Sequence, residues 1–583
     1  MKTALPSIVL VLICASCGPV TLEQQQKEVD ELISSMVKAE SAGATVAVAK
    51  VGELLYSKGY GSANPEYDIP NSPQTIFHVA SVSKQFTAFA IALLAEQGKI
   101  SVGDDIRKYL PELPDFGHKI TIKHLVHHTS GLRDQWELLS LAGWRLDDVI
   151  TRSQVLRLIR HQEELNFKPG EEFSYCNTGY TLLGEIVSRV TGKSFPEWCA
   201  ENIFKPLKMD NTLFYDDHEK IVKNRAYSFH DSPEGLKKSV LSYANAGATS
   251  LFTTAEDLTK WSENFYSMKV GNAEVMEQME ERGVLNKGDT LGYAFGQGFG
   301  TYKGLKTLTH GGADAGYRSY LMRFPEHKLS IVVLSNLASF NPGKLAYGIA
   351  EIYLKDHLKQ EPARPEASQT VAATFQVSEA LLKSYEGQYQ LTPAMIVTFK
   401  IENGKLTAQA TGQPALNMVA SSESEFANEG GDVRISFNKG SDSKVNQFTL
   451  YQGGQTIVAR RIKPFDPTSL DLRTYVGNYY SPELQTSYTL ELKNDTLIAN
   501  HIRHEPAAMT PIAKDAFSTN LWYMGKIEFT RNEKAEITGF KVSSGRVKNV
   551  RFVKRGLAVG FSYWPANAER HPRSERSQVF LNL

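Results

Sequence analysis

The 583-residue chain has only four cysteines, and two of them, Cys14 and Cys17, sit at its extreme N-terminus. The remaining pair, Cys176 and Cys199, is too small a set for a disulfide framework. Whether those two thiols pair or stay free is open from sequence. The chain also lacks net charge: Lys+Arg and Asp+Glu both count 64. No global field therefore draws it to nucleic acid or to acidic lipid. It shows no long basic run and no zinc-type Cys/His cluster. Nucleic-acid binding, a structural metal and a cofactor are thus not called for. The apolar run over residues 4–15 is too short to cross a bilayer.

That run comes after Lys2 and has the form of a secretory signal. The sequence Cys14-Ala15-Ser16-Cys17 resembles a bacterial lipobox, which would make Cys17 the lipidated N-terminus of the mature protein. A plain signal peptide cleaved nearby is the alternative. The reading is a signal peptide over 1–16 and a polar tether over 17–29. The expected location is the bacterial cell envelope, periplasmic or outer-membrane associated, held to the membrane through the lipid.

Residues 30–357 read as one large mixed domain. An amphipathic helix near 29–40 is followed by strand signals at 44–50 and 54–60. Further strands are expected at 317–324 and 329–335, with a helix over 342–354. Helices fall between, including 182–191 and 255–265. Strands at both ends with helices between suggest one antiparallel sheet completed by distant parts of the chain. A polar stretch with Pro362 and Pro365, residues 358–378, reads as a linker. The C-terminal part of the chain contains an internal repeat. Tyr385-Glu-Gly-Gln-Tyr389 returns as Tyr475-Val-Gly-Asn-Tyr479, and Ile435-Ser-Phe437 returns as Ile527-Glu-Phe529. Two small β-barrel-like modules are expected, over 379–465 and 466–583. Their interiors could hold a ligand or be filled by their own side chains.

The chemistry concentrates at Ser81-Val82-Ser83-Lys84, at the start of an apolar helix expected over 82–97. A spacing of three puts Ser81 and Lys84 on one side of the first turn. A helix N-terminus offers free N–H groups to an oxyanion. Lys84 can take the serine proton only if burial or a nearby cation makes it neutral. Spacing alone selects nothing, because Ser35–Lys38, Ser436–Lys439 and Ser441–Lys444 share it. Two other stretches offer partners. Tyr175-Cys176-Asn177 comes after Lys168-Pro169-Gly170 on an expected loop, where alternation lets Tyr175 and Asn177 point the same way. His310-Gly311-Gly312-Ala313 precedes the strand at Tyr317, and glycine lets backbone approach a ligand. Taken alone, the first reads as a capped loop and the second as a turn rather than as a site.

Taken in order, the three stretches resemble the penicillin-recognising serine hydrolases: class C β-lactamases, D,D-peptidases, D-aminopeptidases and their esterase relatives. The first motif of that family matches Ser81-x-x-Lys84, the second Tyr175-x-Asn177, the third His310-Gly311-Gly312. Residues 124–132, 177–185 and 251–258 also resemble the family. The resemblance implies an α/β (α+β) β-lactamase/transpeptidase-like domain, an antiparallel sheet flanked by helices with an inserted helical subdomain, followed by two all-β barrel-like modules. It implies that Ser81 is acylated and that Lys84 and Tyr175 share the proton transfers. It further implies that Asn177, His310, Gly311 and Gly312 bind substrate and that the backbone N–H groups of Ser81 and Ala313 form the oxyanion hole.

Two departures bear on substrate. His310 stands where true β-lactamases carry a lysine, and Cys176 takes a position where serine is common. The first departure points to an ester or a D-amino-acid-containing peptide as substrate. A true β-lactamase or D,D-carboxypeptidase is the alternative, and a catalytically silent envelope binding protein is a third reading. The expected partner is a small ester, amide or peptide; nothing indicates an oligomeric state.

Overall fold

The structure, a computed structural model, describes residues 21–37, 41–359, 375–392, 395–410, 415–428, 433–439, 444–452, 455–463, 465 and 467–556. The expected signal peptide, the Cys17 lipidation site and most of the expected linker lie outside the described residues. Among the described residues, no helix is long and apolar enough to cross a membrane.

A six-stranded antiparallel sheet organises the first half. Its order is Gly298–Tyr302, Leu305–Asp314, Tyr317–Phe324, Leu329–Ser335, Ala44–Lys50, Glu53–Tyr60. The N-terminal strand pairs with the last strand of the domain, with Val46 opposite Val333. Alternation within these strands explains why they read as continuous apolar runs. Val46, Val48, Ile331 and Val333 face one core with the helices Leu22–Ser34 and Pro342–Tyr353. Ala47, Val332 and Leu334 face the other core, beneath the helices Ser83–Glu96 and Ala255–Ser267. Both faces are covered, so both phases of the period-two pattern are apolar.

The first helix departs from expectation. It runs Leu22–Ser34, so the segment read as a tether is helical from Leu22 onward. Thr21 caps it, its side chain accepting from Gln24 N at 3.2 Å. Gln, Glu and Lys are good helix formers, and Val29 and Ile33 supply a narrow buried stripe.

The two repeats each close into an eight-stranded barrel, Gly387–Ile462 and Gly477–Arg555. The repeated tyrosines occupy equivalent positions. The Tyr389 hydroxyl donates to Tyr385 O at 3.0 Å, and the Tyr479 hydroxyl donates to Tyr475 O at 2.7 Å. Tyr389, Phe399, Phe437 and Phe448 pack together inside the first barrel. Tyr479, Phe529, Phe540 and Phe552 do so inside the second.

The second barrel is docked on the helical side of the first domain. Arg133 and Glu483 form a buried ion pair at 2.5 Å across the junction. Arg133 also donates to Lys548 O through Nε at 3.1 Å and Nη2 at 2.8 Å. The Tyr488 hydroxyl donates to Leu141 O, and His504 bonds Ser140 O at 2.7 Å.

Candidate active site

Ser81 lies in a short 3-10 turn, Ala80–Val82, just ahead of the helix Ser83–Glu96. The helix thus begins one residue later than its pattern suggests. Ala80 has φ +47°, a left-handed conformation that costs a non-glycine residue about 1–3 kcal/mol. Several contacts hold the turn in that shape. The Ser83 hydroxyl donates to Ala80 O at 2.5 Å and accepts from Leu251 N at 3.1 Å. Buried His78 accepts from Ala80 N at 3.2 Å, and desolvation pushes its pKa down to about 3.

Strand Leu305–Asp314 presses against this turn. A Cβ on Gly312 would stand 2.3 Å from both Val79 O and the Ser319 hydroxyl. Only glycine allows that approach. The expectation of a turn here is corrected: His310-Gly311-Gly312-Ala313 is part of a strand. The neighbouring strand Gly298–Tyr302 stops pairing at Thr309, whereas Tyr317–Phe324 pairs through Asp314. One backbone edge of residues 310–314 is thereby left facing the Ser81 turn.

Lys84 is fully buried and makes three hydrogen bonds through Nζ. They run to Ser81 Oγ at 3.1 Å, Asn177 Oδ1 at 2.8 Å and Ala248 O at 2.7 Å. Burial pushes its pKa down to about 7, against the opposing pull of Asp314 and Asp134. Two of the three partners, a carbonyl and an amide oxygen, can only accept. A neutral amine satisfies both with its two N–H bonds. In that state its lone pair faces the third partner, the Ser81 hydroxyl, to which the protonated amine donates.

Tyr175 and Asn177 do reach the same place. The helix begins at Asn177, earlier than expected, and runs to Thr191. Lys84 Nζ sits 5.0 Å from the centre of the Tyr175 ring. The Tyr175 hydroxyl is buried and has no hydrogen-bond partner of regular geometry among the described residues. Desolvation raises its pKa, while the Ser81 hydroxyl beside it pulls the other way. Cys176 points elsewhere, its thiol donating to Leu132 O at 3.3 Å, and burial pushes it up to about 12. Cys176 and Cys199 are free, buried thiols.

His310 is buried in the strand, with Nδ1 at 2.6 Å from Gly311 O and Nε2 at 3.1 Å from the Tyr293 hydroxyl. Desolvation and the nearby Lys84 push its pKa down to about 4. The ring is therefore neutral at pH 7, and the third motif supplies no cation. Among the described residues no group of three or more His, Cys, Asp or Glu side chains is placed to hold a metal ion.

Several residues at the site were not singled out from sequence. Asp134 accepts from both the backbone N (2.7 Å) and Nδ2 (2.8 Å) of Asn177, and so aims Asn177 Oδ1 at Lys84. It also caps the helix Gln135–Leu141, accepting from Trp136 N. An Asp just ahead of an apolar-periodic stretch is a readable cap signal; its second task is not readable. Asp314, pushed up to about 6 by burial, is hydrogen-bonded by Thr249. His128 accepts from Cys176 N at 3.0 Å and packs 4.2 Å from the Tyr175 ring. Asp134→Ala should lose about 1–2 kcal/mol of stability in urea denaturation. It should also slow labelling of Ser81 by a fluorophosphonate about tenfold or more, because Asn177 and Lys84 lose their alignment. Unchanged labelling would show that Asp134 does no more than cap its helix.

A covered antiparallel sheet, a helical layer and a Ser-x-x-Lys turn between them define a β-lactamase/transpeptidase-like domain. Residues 29–353 match the Beta-lactamase family, and the chain belongs to that family. Penicillin-binding protein 4* of Bacillus subtilis is 27% identical over 458 residues, covering 76% of this chain and all of that protein. Protein flp of Staphylococcus aureus (strain N315) is 27% identical over 386 residues, 64% of this chain and 72% of that protein. Among solved structures, the octameric penicillin-binding protein homologue from Pyrococcus abyssi superimposes with a TM-score of 0.53 at 21% identity, covering 83% of this chain and 99% of that one. The crystal structure of SurE superimposes with a TM-score of 0.51 at 19% identity over 76% of this chain and 99% of its own. These two structural likenesses bear on the fold.

Proposed function

We propose that the protein is a serine hydrolase that cleaves an ester or a D-amino-acid-containing peptide through an acyl-Ser81 intermediate. The observation that carries this reading is the hydrogen-bonding of Lys84. Its two acceptor-only partners leave the neutral amine one orientation, with the lone pair on Ser81 Oγ. In the proposed reaction Ser81 Oγ attacks the substrate carbonyl carbon and its proton passes to Lys84 Nζ. The carbonyl oxygen takes the negative charge, facing the backbone N–H groups of Ser81 and Ala313. Collapse expels the leaving group, which takes a proton from Lys84 by way of the Tyr175 hydroxyl. Water then attacks the acyl carbon by the reverse relay and frees Ser81. Asn177 orients Lys84, and the backbone of Gly311 and Gly312 lines the substrate's path beside His310.

The neutral His310 supports the ester and peptide side of the family over β-lactams. No permanent cation stands in the third motif to hold a β-lactam carboxylate. A panel of p-nitrophenyl esters, D-alanyl amides, a D-Ala-D-Ala peptide and nitrocefin separates the readings. Turnover of an ester or D-amide with single, slow acylation by nitrocefin is expected. Sustained nitrocefin turnover would overturn the substrate preference. Failure to acylate with any of them, together with no fluorophosphonate labelling, would favour a silent binding protein. Anchoring of the mature chain in the cell envelope through Cys17 is part of the proposal and is read by metabolic labelling with a palmitate analogue.

The proton chemistry sets a pH dependence. Lys84 must be neutral to accept, so activity should be absent well below pH 7 and rise as pH passes through about 7. The limb belongs to the interacting Lys84–Asp314 pair. His310 titrates near 4 and should add no inflection above pH 5. A kcat/KM profile with a limb at 9 or higher would contradict a neutral Lys84.

A further inference from the structure

The loop between the last two strands of the second barrel enters the catalytic cleft. Its backbone is fixed to the first domain over several residues. Arg546 N donates to both oxygens of Glu137, at 3.0 and 2.8 Å. Arg546 O accepts from Asp134 N at 3.2 Å and from Asn166 Nδ2 at 2.8 Å. Lys548 N donates to Asn166 Oδ1 at 2.7 Å, and Lys548 O receives the Arg133 guanidinium. Val547 is fully buried between them.

Against that fixed backbone the Arg546 guanidinium is only loosely held. It lies 5.1 Å from the centre of the Tyr175 ring, and its side chain is 45% exposed. Its nearest carboxylate is Asp134, with Nη1 4.0 Å from Oδ2. That oxygen already accepts two hydrogen bonds from Asn177. Among the described residues the guanidinium makes no hydrogen bond of its own. Other charged groups face this corner without claiming it. Lys84 is buried beneath Tyr175, and Asp314 is tied to Thr249. Burial pushes the Glu137 carboxyl up to about 8, so it brings no full negative charge at pH 7. A planar fork of donors, held over the candidate acid/base tyrosine and open to solvent, is placed to receive an oxyanionic group.

We propose that Arg546 is a specificity residue that binds a carboxylate on the substrate, so that the second barrel is part of the active site. This deepens the serine-hydrolase reading and rests on it. The charge stands beside Tyr175, on a loop of the second barrel, and not on the strand that carries His310.

The test compares matched substrates. p-Nitrophenyl acetate is neutral, and p-nitrophenyl hemisuccinate carries a carboxylate on the same ester. Wild type should prefer the hemisuccinate. Arg546→Gln should lower kcat/KM for the hemisuccinate about 10- to 100-fold, mainly through KM, the span expected for a charge-assisted contact. Measured at about pH 8.5, above the Lys84 limb, the acetate should lose far less than the hemisuccinate, and Arg546→Lys should restore part of the preference. Equal loss on both esters would overturn the proposal and mark Arg546 as a structural element or a tuner of Lys84. No loss on either would overturn it as well. A second readout does not depend on turnover. In a Ser81→Ala background, calorimetry should show succinanilic acid binding more tightly than acetanilide, and Arg546→Gln should erase the difference. If no ester is hydrolysed but that difference appears and is erased, the hydrolase reading fails while the carboxylate site stands. If esters are hydrolysed and no difference appears, the reverse holds.

Discussion

Ser81→Ala should lower ester or amide hydrolysis by about 10⁴-fold or more and abolish fluorophosphonate labelling. The size comes from the role. The oxygen that forms the covalent bond is removed, and Lys84 cannot substitute because two acceptors hold it in place. The fold should survive, since the Ser81 side chain is bonded by Lys84, while the turn is held by Ser83 and His78. A thermal midpoint within about 2 °C of wild type is therefore expected. Labelling of both proteins at equal rates would reject Ser81 as the nucleophile. Ser35, which shares the spacing, has no comparable surroundings: its hydroxyl donates to Leu32 O at an exposed helix end.

The second large effect is on assembly. Arg133→Met should cost about 3–5 kcal/mol, because it leaves Glu483 buried without its partner and Lys548 O without its donors. Burial already raises the Glu483 pKa even with Arg133 in place. Arg133→Met/Glu483→Leu should recover most of the loss, since a well-packed apolar pair carries no stranded charge. Urea denaturation followed by limited proteolysis at the barrel junction reads both. The single variant should also slow acylation of Ser81, because Arg133 adjoins Asp134, and Asp134 holds Asn177. An unchanged denaturation midpoint in the single variant would mean that the barrel is docked by other contacts.

Local patterns carried much of this fold into the sequence. The strands at 44–50, 317–324 and 329–335 stand where alternating or continuous apolar runs put them. The repeat of Tyr385 and Tyr389 as Tyr475 and Tyr479 foretold two like modules, and the structure closes both. Periodicity failed where polar residues form helices. The Gln-rich start of the first helix reads as solvated chain because its buried stripe is only Val29 and Ile33. It failed again at His310-Gly311-Gly312, where two glycines look like a turn but serve a close strand approach. The site was legible as far as its side chains recur in motifs. The Ala248 carbonyl bears no sequence signal, because any residue could supply it. Arg546 bears none either, because its meaning lies in a contact with Tyr175 that spans most of the chain.

That contact also shapes how the protein comes into being. Chains are made from the N-terminus, and domains fold as they emerge. The sheet closes once the strand Leu329–Ser335 is available, well before the loop carrying Arg546 and Lys548 has been synthesised. In that interval Arg133 lacks both Glu483 and the Lys548 carbonyl, and Asp134 N lacks its acceptor. The first domain thus waits, with the wall of its candidate cleft incomplete, for the loop of residues 544–549 to arrive.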